Sequence, residues 1–125
     1  MVKKTALVVE DDAKVQSTMT SIFWRLGWAR PTLVDSGEDA LAILRKNNDK
    51  FDLIILDQKL PVMKGLQVLA KAKKLAVKLP PVIMITGEYD DKVEPRAREL
   101  GAIFLMKHEL SEKKLRKLLS ELLDD

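Results

Sequence analysis

Four stretches of the sequence carry side chains that could do chemistry together. Three consecutive carboxylates, Glu10 to Asp12, follow the first apolar run, and Asp57 follows a later one. Thr86 and Lys107 close two further apolar runs. Clustered carboxylates repel one another at neutral pH, and a hard cation with oxygen ligands relieves that repulsion. A carboxylate surrounded by a cation, a hydroxyl and an ammonium suits a phosphoryl group and could itself act as the nucleophile.

The elements that must position these residues follow from the apolar pattern. Short runs rich in β-branched residues alternate with longer segments of helical period, which is typical of parallel strands joined by crossover helices. The fold class predicted is therefore α/β, with a doubly wound five-stranded parallel sheet and five helices. The predicted strands are residues 6–9, 30–34, 53–56, 82–85 and 102–106.

Apolar periodicity, N-cap residues and glycine or proline stops predict the five helices. Pro95 restricts the fourth to a short helix that begins near residue 94 or 95, after a mobile lead-in over residues 90–93. The others are predicted from about residue 15 to a stop at Gly27, over residues 37–46 with Ser36 as N-cap, over residues 66–77, and from Ser111 onward.

The composition limits the kinds of site that the chain can build. Its 125 residues fit one domain, residues 1–125, and the absence of cysteine excludes disulfides and thiolate sites. A single histidine excludes a histidine-rich zinc centre. No apolar run approaches the ~20 residues that span a bilayer, and no signal peptide is visible, so we expect a cytoplasmic location. Lys and Arg are scattered among nearly as many acids, so the net charge of +3 indicates solvated helix faces rather than a nucleic-acid surface.

The carboxyl ends of parallel strands meet at one edge of a sheet, so we expect Glu10, Asp11 and Asp57 to converge if their strands are neighbours. Magnesium fits such a pocket best, because it accepts one or two carboxylates and keeps positions for water and phosphate. Each residue alone has an ordinary interpretation, as a helix cap, a turn or a solvated side chain. The order of acid pair, acid, threonine and lysine at the ends of strands one, three, four and five favours one joint site.

Residues 5–123 resemble the receiver domains of two-component response regulators. The matching stretches are LVVEDD at 7–12, LIILDQKLPVMKG at 53–65, ITG at 85–87 and GAIFLMK at 101–107. The resemblance implies a flavodoxin-like fold with strand order 2-1-3-4-5, and a monomer or weak dimer. Whether the receiver is free-standing, as in chemotaxis-type members, or part of a longer protein is left open.

The resemblance also implies roles for individual residues. Asp57 would be the phosphoacceptor, and Asp11 and Asp57 would bind Mg²⁺ (or Mn²⁺) together with the backbone carbonyl of Lys59. Glu10 would act mainly through water.

Thr86 and Lys107 would hold the phosphoryl oxygens, and Phe104 would be the aromatic switch coupled to Thr86. The phosphoryl donor would be a sensor histidine kinase or a phosphotransfer protein. The face formed by helix four, strand five and helix five would bind a protein target. Such a protein is a signalling phosphoacceptor rather than an enzyme, with slow self-catalysed phosphorylation and dephosphorylation.

Several positions depart from the usual receiver pattern. Phe104 lacks the hydroxyl of the commoner tyrosine, and His108 stands where proline is usual, which puts a cis peptide after Lys107 in doubt. Lys64 replaces a frequent aspartate, which changes surface charge only. Lys59 and Glu88 carry opposite charges on adjacent rims of the pocket, and we hypothesise that they pair across its mouth and alter water access.

Three other functions were weighed. A receiver-like module that binds partners without phosphorylation remains the alternative. An aspartyl-phosphate phosphatase is disfavoured, because Lys59 stands where such sites place a second aspartate. Direct DNA binding is disfavoured, because no helix-turn-helix-like segment follows the receiver within residues 1–125.

Overall fold

The sheet has five parallel strands. The computed structural model describes residues 2–47, 50–75 and 78–123. The strands lie in the order β2-β1-β3-β4-β5, and every neighbouring pair is parallel, as the sequence predicts. They are β1 (Ala6–Val9), β2 (Thr32–Val34), β3 (Leu53–Asp57), β4 (Val82–Thr86) and β5 (Ile103–Met106).

Helices cover both faces of the sheet, so alternate residues of the inner strands are buried on opposite sides. In β3, Ile54 and Leu56 pack into the cluster formed with α2, α3 and α4, whereas Leu53 and Ile55 pack into the cluster formed with α1 and α5. This confirms the predicted doubly wound architecture. The helices are α1 (Ala13–Arg25), α2 (Gly37–Asn47), α3 (Gly65–Leu75), α4 (Val93–Glu99) and α5 (Glu112–Leu122).

The predicted helix signals act where they were expected. The Ser36 hydroxyl accepts a hydrogen bond from the amide of Asp39, and the Ser111 hydroxyl accepts one from the amide of Lys114. Gly27 has a φ of 80°, the left-handed conformation that ends α1. The predicted third helix extends to residue 77, and residues 76 and 77 lie outside the described part.

Several predicted boundaries are wrong. Strand β2 begins at Thr32 rather than at residue 30, because Pro31 has no N–H to donate to the ladder. Helix α4 begins at Val93, before the predicted start, and the buried side chain of Val93 contradicts a mobile lead-in at that residue. Pro95 is the third residue of α4, where an N–H has no partner within the helix, so it costs no helical bond.

Helix α1 begins at Ala13, two residues before its predicted start, and the remaining boundary differences are one residue each. Strands β3 and β4 extend to Asp57 and Thr86, β5 begins at Ile103, α2 ends at Asn47 and α3 begins at Gly65. His108 lies in a single turn of 3-10 helix over Lys107–Glu109. No peptide bond among the described residues is cis, including the one after Lys107.

Candidate functional site

The strand register brings the predicted acids together. Val9 lies opposite Leu56, so Glu10 and Asp57 follow at the same level of the sheet. Carboxylate oxygens of Glu10, Asp11 and Asp57 all lie within 4.8 Å of one another. Glu10 and Asp57 are buried, and Asp11 is exposed at the mouth. The expected convergence at the carboxyl edge is confirmed.

The third acid of the sequence motif serves the helix rather than the pocket. The Asp12 carboxylate accepts hydrogen bonds from the amides of Lys14 (2.8 Å) and Val15 (3.4 Å) at the start of α1. A cap of this kind satisfies amides that have no partner within the helix. Asp12 therefore fixes the turn that presents Glu10 and Asp11 to the site.

Lys107 lies between the two buried carboxylates. Its ammonium is 2.8 Å from Glu10 Oε1 and 3.4 Å from Asp57 Oδ2, and it donates a hydrogen bond to the latter. The sequence placed Lys107 beside Asp57 but did not predict the shorter contact to Glu10. The ammonium thus neutralises part of the negative charge at the centre.

Glu10 is the most constrained carboxylate of the site. Burial raises the pKa of Glu10, and the neighbouring Asp57 raises it further, while Lys107 and the amide of Asp12 oppose the shift. Oε2 accepts a hydrogen bond from the Asp12 amide at 3.1 Å. Oε1 lies 2.8 Å from the Lys107 ammonium, which is its charged partner among the described residues. Both oxygens of this buried carboxylate are therefore held in place.

The pKa of Lys107 is also set by burial and by its charged neighbours. Partial burial alone would lower it, but the contacts with Glu10 and Asp57 outweigh that effect, and the pKa is raised above its ordinary value. Lys107 is therefore a permanent positive charge at neutral pH.

Gly65 lets helix α3 begin close to strand β3. A Cβ at this position would lie 2.5 Å from the carbonyl oxygen of Asp57, which is too close for any side chain. The Gly65 amide donates to the carbonyl of Gln58, and the Gln58 side chain accepts a bond from the amide of Leu66. No role was predicted for Gly65 or Gln58, and their spacing after Asp57 was the available signal.

The donor set fits a divalent cation. Three carboxylates whose oxygens lie within 4.8 Å of one another offer the oxygen ligands that Mg²⁺ prefers. The Lys59 amide donates to Asp57 Oδ1 at 3.3 Å, so the chain turns back over Asp57 at the position that the resemblance gives to a ligand carbonyl. The part of that carbonyl in metal binding stays a prediction.

Thr86 is held by its own loop. Its buried hydroxyl donates a hydrogen bond to the carbonyl of Glu88 at 3.1 Å and accepts one from the amide of Glu88 at 3.4 Å. Phe104 is 7% exposed, and its ring meets the ring of Tyr89 edge-on at a centroid distance of 6.5 Å. The coupling of Thr86 to Phe104 stays a prediction. The exposed Tyr89, which the sequence analysis missed, joins this loop to Phe104.

The rim of the pocket carries the predicted charge pair. Lys59 Nζ donates to Glu88 Oε2 at 2.7 Å, and both side chains are largely exposed. This contact lowers the pKa of Glu88. The pairing joins the loop after β3 to the loop after β4, while its effect on water access stays a prediction.

Comparison with known proteins identifies the fold family. Residues 6–120 match the family model of the response regulator receiver domain. The chain belongs to this family. Receivers are generally signalling phosphoacceptors rather than enzymes, and the acidic pocket of Glu10, Asp11 and Asp57 is typical of those that accept a phosphoryl group.

Three similar proteins illustrate the match. A putative transcriptional regulator of Pseudomonas aeruginosa is 33% identical over 82% of this chain, which spans only 49% of that protein's length. Sporulation initiation phosphotransferase F of Bacillus subtilis is 30% identical over 82% of this chain and 80% of its own. The structure of a CheX–CheY–BeF₃–Mg²⁺ complex from Borrelia burgdorferi shares the fold, with a TM-score of 0.86 at 23% identity, covering 98% of this chain and 90% of that one.

The length and composition of the helices show whether any of them could cross a membrane. Within the described residues, no helix combines the length and apolar character that crossing a bilayer requires.

Proposed function

We propose that this receiver accepts a phosphoryl group on Asp57 from a phosphohistidine of a sensor histidine kinase or phosphotransfer protein. The observation that carries the proposal is the position of Asp57, whose buried carboxylate lies among Glu10, Asp11 and Lys107. In the transition state of the transfer, negative charge is spread over the equatorial oxygens of the phosphoryl group. Catalysis consists mainly of positioning this group and neutralising its charge.

The transfer needs a nucleophile and a way to neutralise charge. A carboxylate oxygen of Asp57 attacks phosphorus, the bond from phosphorus to the donor imidazole breaks, and the imidazole nitrogen keeps the electron pair and gains a proton. Asp11, Asp57 and the backbone carbonyl of Lys59 would hold Mg²⁺ or Mn²⁺, with Glu10 acting through water, and the ion would supply positive charge next to the phosphoryl oxygens. The Lys107 ammonium already donates a hydrogen bond to Asp57, and it can shift to an oxygen of the phosphoryl group once this group is attached to the same carboxylate.

The response begins at Thr86. A phosphoryl oxygen on Asp57 competes with the Glu88 carbonyl for the Thr86 hydroxyl, because a charged acceptor makes the stronger bond. Movement of Thr86 changes the space beside Phe104, so phosphorylation shifts the population between two packings. The face of α4, β5 and α5 then presents a different surface to a protein target.

The pair of Lys59 and Glu88 tunes the lifetime of the phosphorylated state in this proposal. It bridges the two loops that border the acceptor, so opening it widens the path by which water reaches the acyl phosphate.

We further propose that residues 1–125 act as one receiver domain in the cytoplasm, by protein contact and without direct nucleic-acid or membrane binding, as a monomer or weak dimer. The name of the B. subtilis relative, a phosphotransferase, supports a place in a phosphorelay. The Borrelia complex supports protein contact, since that receiver-fold protein is bound to CheX and crystallised with BeF₃ and Mg²⁺.

Phosphorylation is tested by intact mass after incubation with Mg²⁺ and acetyl phosphate. We expect the added mass of one phosphoryl group, no addition in Asp57→Asn, and none when Mg²⁺ is chelated. Asp39→Asn, which removes an exposed carboxylate on α2, is the matched control and should behave like the parent. Unchanged mass of the folded parent protein would instead favour a receiver-like module that binds partners without phosphorylation.

A further inference from the structure

A groove at the end of α1 has no part in the proposed phosphoryl chemistry. It encloses about 480 Å³ and is lined by Trp24, Trp28, Lys3, Arg25 and Arg30, with smaller side chains between them. Lys3 precedes β1, whereas the acid pair follows β1, so this tryptophan groove and Asp57 lie toward opposite ends of the strand. A volume of this size is in the range of sites that bind ligands or peptide side chains.

The wall of the groove is rigid because the end of α1 is fully bonded. The amide of Trp28 donates to the carbonyl of Phe23, and the amide of Gly27 donates to the carbonyl of Trp24, which together form a Schellman motif. The ring of Trp28 packs on Phe23 at a centroid distance of 5.2 Å, the apolar contact that accompanies this motif. The next amide, of Ala29, donates to the carbonyl of Lys4 and ties the turn to the chain before β1.

Packing accounts for Trp28 but not for Trp24. The Trp24 side chain is 79% exposed, although an indole is among the most costly side chains to leave in water. It forms no ring contact with another aromatic residue in the described part of the chain. Helix α1 therefore presents the exposed indole of Trp24 on a rigid surface. Exposed aromatic side chains in such positions are typical anchors of protein–protein interfaces.

Among the described residues that line the groove, the charged side chains are all positive, namely Lys3, Arg25 and Arg30. Within the residues that the structure describes, Lys3 and Arg30 make no ion pair, and Arg25 has only a 3.8 Å contact with Glu112, which Arg116 approaches more closely. An anionic ligand would therefore meet cations that are not already neutralised.

We propose that the tryptophan groove binds an acidic segment of a partner protein that carries an aromatic or aliphatic side chain between its carboxylates. Tryptophan and arginine are the residues most enriched at protein-binding hot spots, and the three cations complement a short acidic stretch. Beside the groove, the exposed face of α1 carries the neutral Ser17, Thr18 and Ser21 between the cations Lys14 and Arg25. The positive charge along this face is therefore interrupted, whereas a nucleic acid favours a continuous basic stripe.

The chain's own tryptophans report on this site. Both lie in the groove, so intrinsic fluorescence reads occupancy directly. The probe is a capped peptide in which glutamates flank a Phe-Leu pair, and its control has glutamines in place of the glutamates. We expect saturable binding of the glutamate peptide that weakens with added salt, and little binding of the glutamine peptide. Calorimetry repeats the titration without reliance on the indoles.

Variants locate the binding. Trp24→Ala removes an exposed side chain, keeps Trp28 as reporter and should weaken binding by about 10-fold or more. Lys3→Ala combined with Arg30→Ala should weaken it several-fold, whereas Lys46→Ala, on a helix of the other sheet face, should not change it.

Four results would overturn the proposal. They are no saturable binding in either assay, equal binding of the glutamine peptide, unchanged affinity in Trp24→Ala, and tighter binding of a single-stranded oligothymidylate that displaces the peptide. The last result would make the groove a nucleic-acid site. None of these results bears on phosphorylation of Asp57, which is measured separately by mass.

Discussion

The two sides of Asp57 differ in how firmly they are held. The carboxylate centre, defined as Glu10, Asp11, Asp57 and Lys107, has two buried acids at the carboxyl ends of central strands that share one ammonium. The β4–α4 loop, residues 87–92, is exposed throughout. It is held near the acceptor by the Thr86 hydroxyl, the Lys59 to Glu88 pair and the edge contact of Tyr89 with Phe104.

In the proposed function, the firmly held centre carries out the phosphoryl transfer, and the loosely held loop carries the response. Contacts of the kind that hold the loop contribute about 1 kcal/mol each or less, so one new charged acceptor at Asp57 can outweigh them. The groups of the carboxylate centre already converge, so the proposed transfer needs no comparable movement there. In this proposal, the receiver combines a preformed site with a loop that is easily displaced.

The largest effect is expected from removing the ammonium of the carboxylate centre. Lys107→Ala should slow phosphoryl uptake on Asp57 by about 10²- to 10³-fold, the usual loss when one preorganised positive or donor group is removed. The rate is followed by intact mass with Mg²⁺ and acetyl phosphate. Lys113→Ala, which removes an exposed lysine of α5, is the control. Uptake at the parent rate in a folded Lys107→Ala protein would contradict a preformed centre.

The next effect concerns metal binding. Asp11→Asn removes the exposed acid of the cluster, so Mg²⁺ should stabilise this variant less than the parent. A ligand at 100 times its Kd adds about 2.7 kcal/mol to the free energy of unfolding. Urea titrations of both proteins at the Mg²⁺ concentration that gives this gain in the parent measure the difference. An equal gain in both would exclude Asp11 from the metal site.

A smaller effect distinguishes response from chemistry. The chain has a single tyrosine, Tyr89, so fluorotyrosine labelling gives one resonance located on the β4–α4 loop. Phosphorylation should move that resonance in the parent. In Thr86→Ala the mass should still show phosphate on Asp57, while the resonance moves much less, because the hydroxyl that holds the loop through the Glu88 carbonyl, and that would turn to the phosphoryl oxygen, is gone. A full shift in Thr86→Ala would mean that the loop responds by another route.

The smallest effect is expected at the rim. Exposed ion pairs contribute about 0.2 to 1 kcal/mol, so Lys59→Ala should raise the rate of phosphate loss by roughly 1.4- to 5-fold. The change should disappear in high salt, which screens exposed charges. Exchanging the two residues, with Lys59→Glu and Glu88→Lys in one protein, should restore part of the lifetime. An unaltered rate in Lys59→Ala would refute the gating role.

Sequence patterns predicted the parts of this molecule that depend on burial. Strands that are buried on both faces carry continuous apolar runs, so β1, β3 and β4 and the acids after them could be located. Convergence of Glu10, Asp11 and Asp57 then followed from the rule that parallel strands end at one edge. The start of α4 was mispredicted because the cost of Pro95 depends on its position in the first turn, which a one-residue error reverses.

The features that sequence could not predict depend on side-chain directions across elements. The approach of Lys107 to Glu10 depends on a long side chain choosing between two acids at similar distance. The contact of Tyr89 with Phe104 joins a loop to a strand, and no periodic pattern marks it. Gly65 showed no signal beyond its spacing, because its role is a close approach between backbones that have not yet been placed.

Strand β3 lies in the middle of the sheet, with a neighbour hydrogen-bonded on each side and helices over both faces. In the proposed reaction, a donor would therefore reach Asp57 along the axis of the strand. Receivers with the same inner acids would offer it the same reactive atoms, so the residues around the opening would have to distinguish one receiver from another. In this chain Lys59 and Glu88 occupy that position.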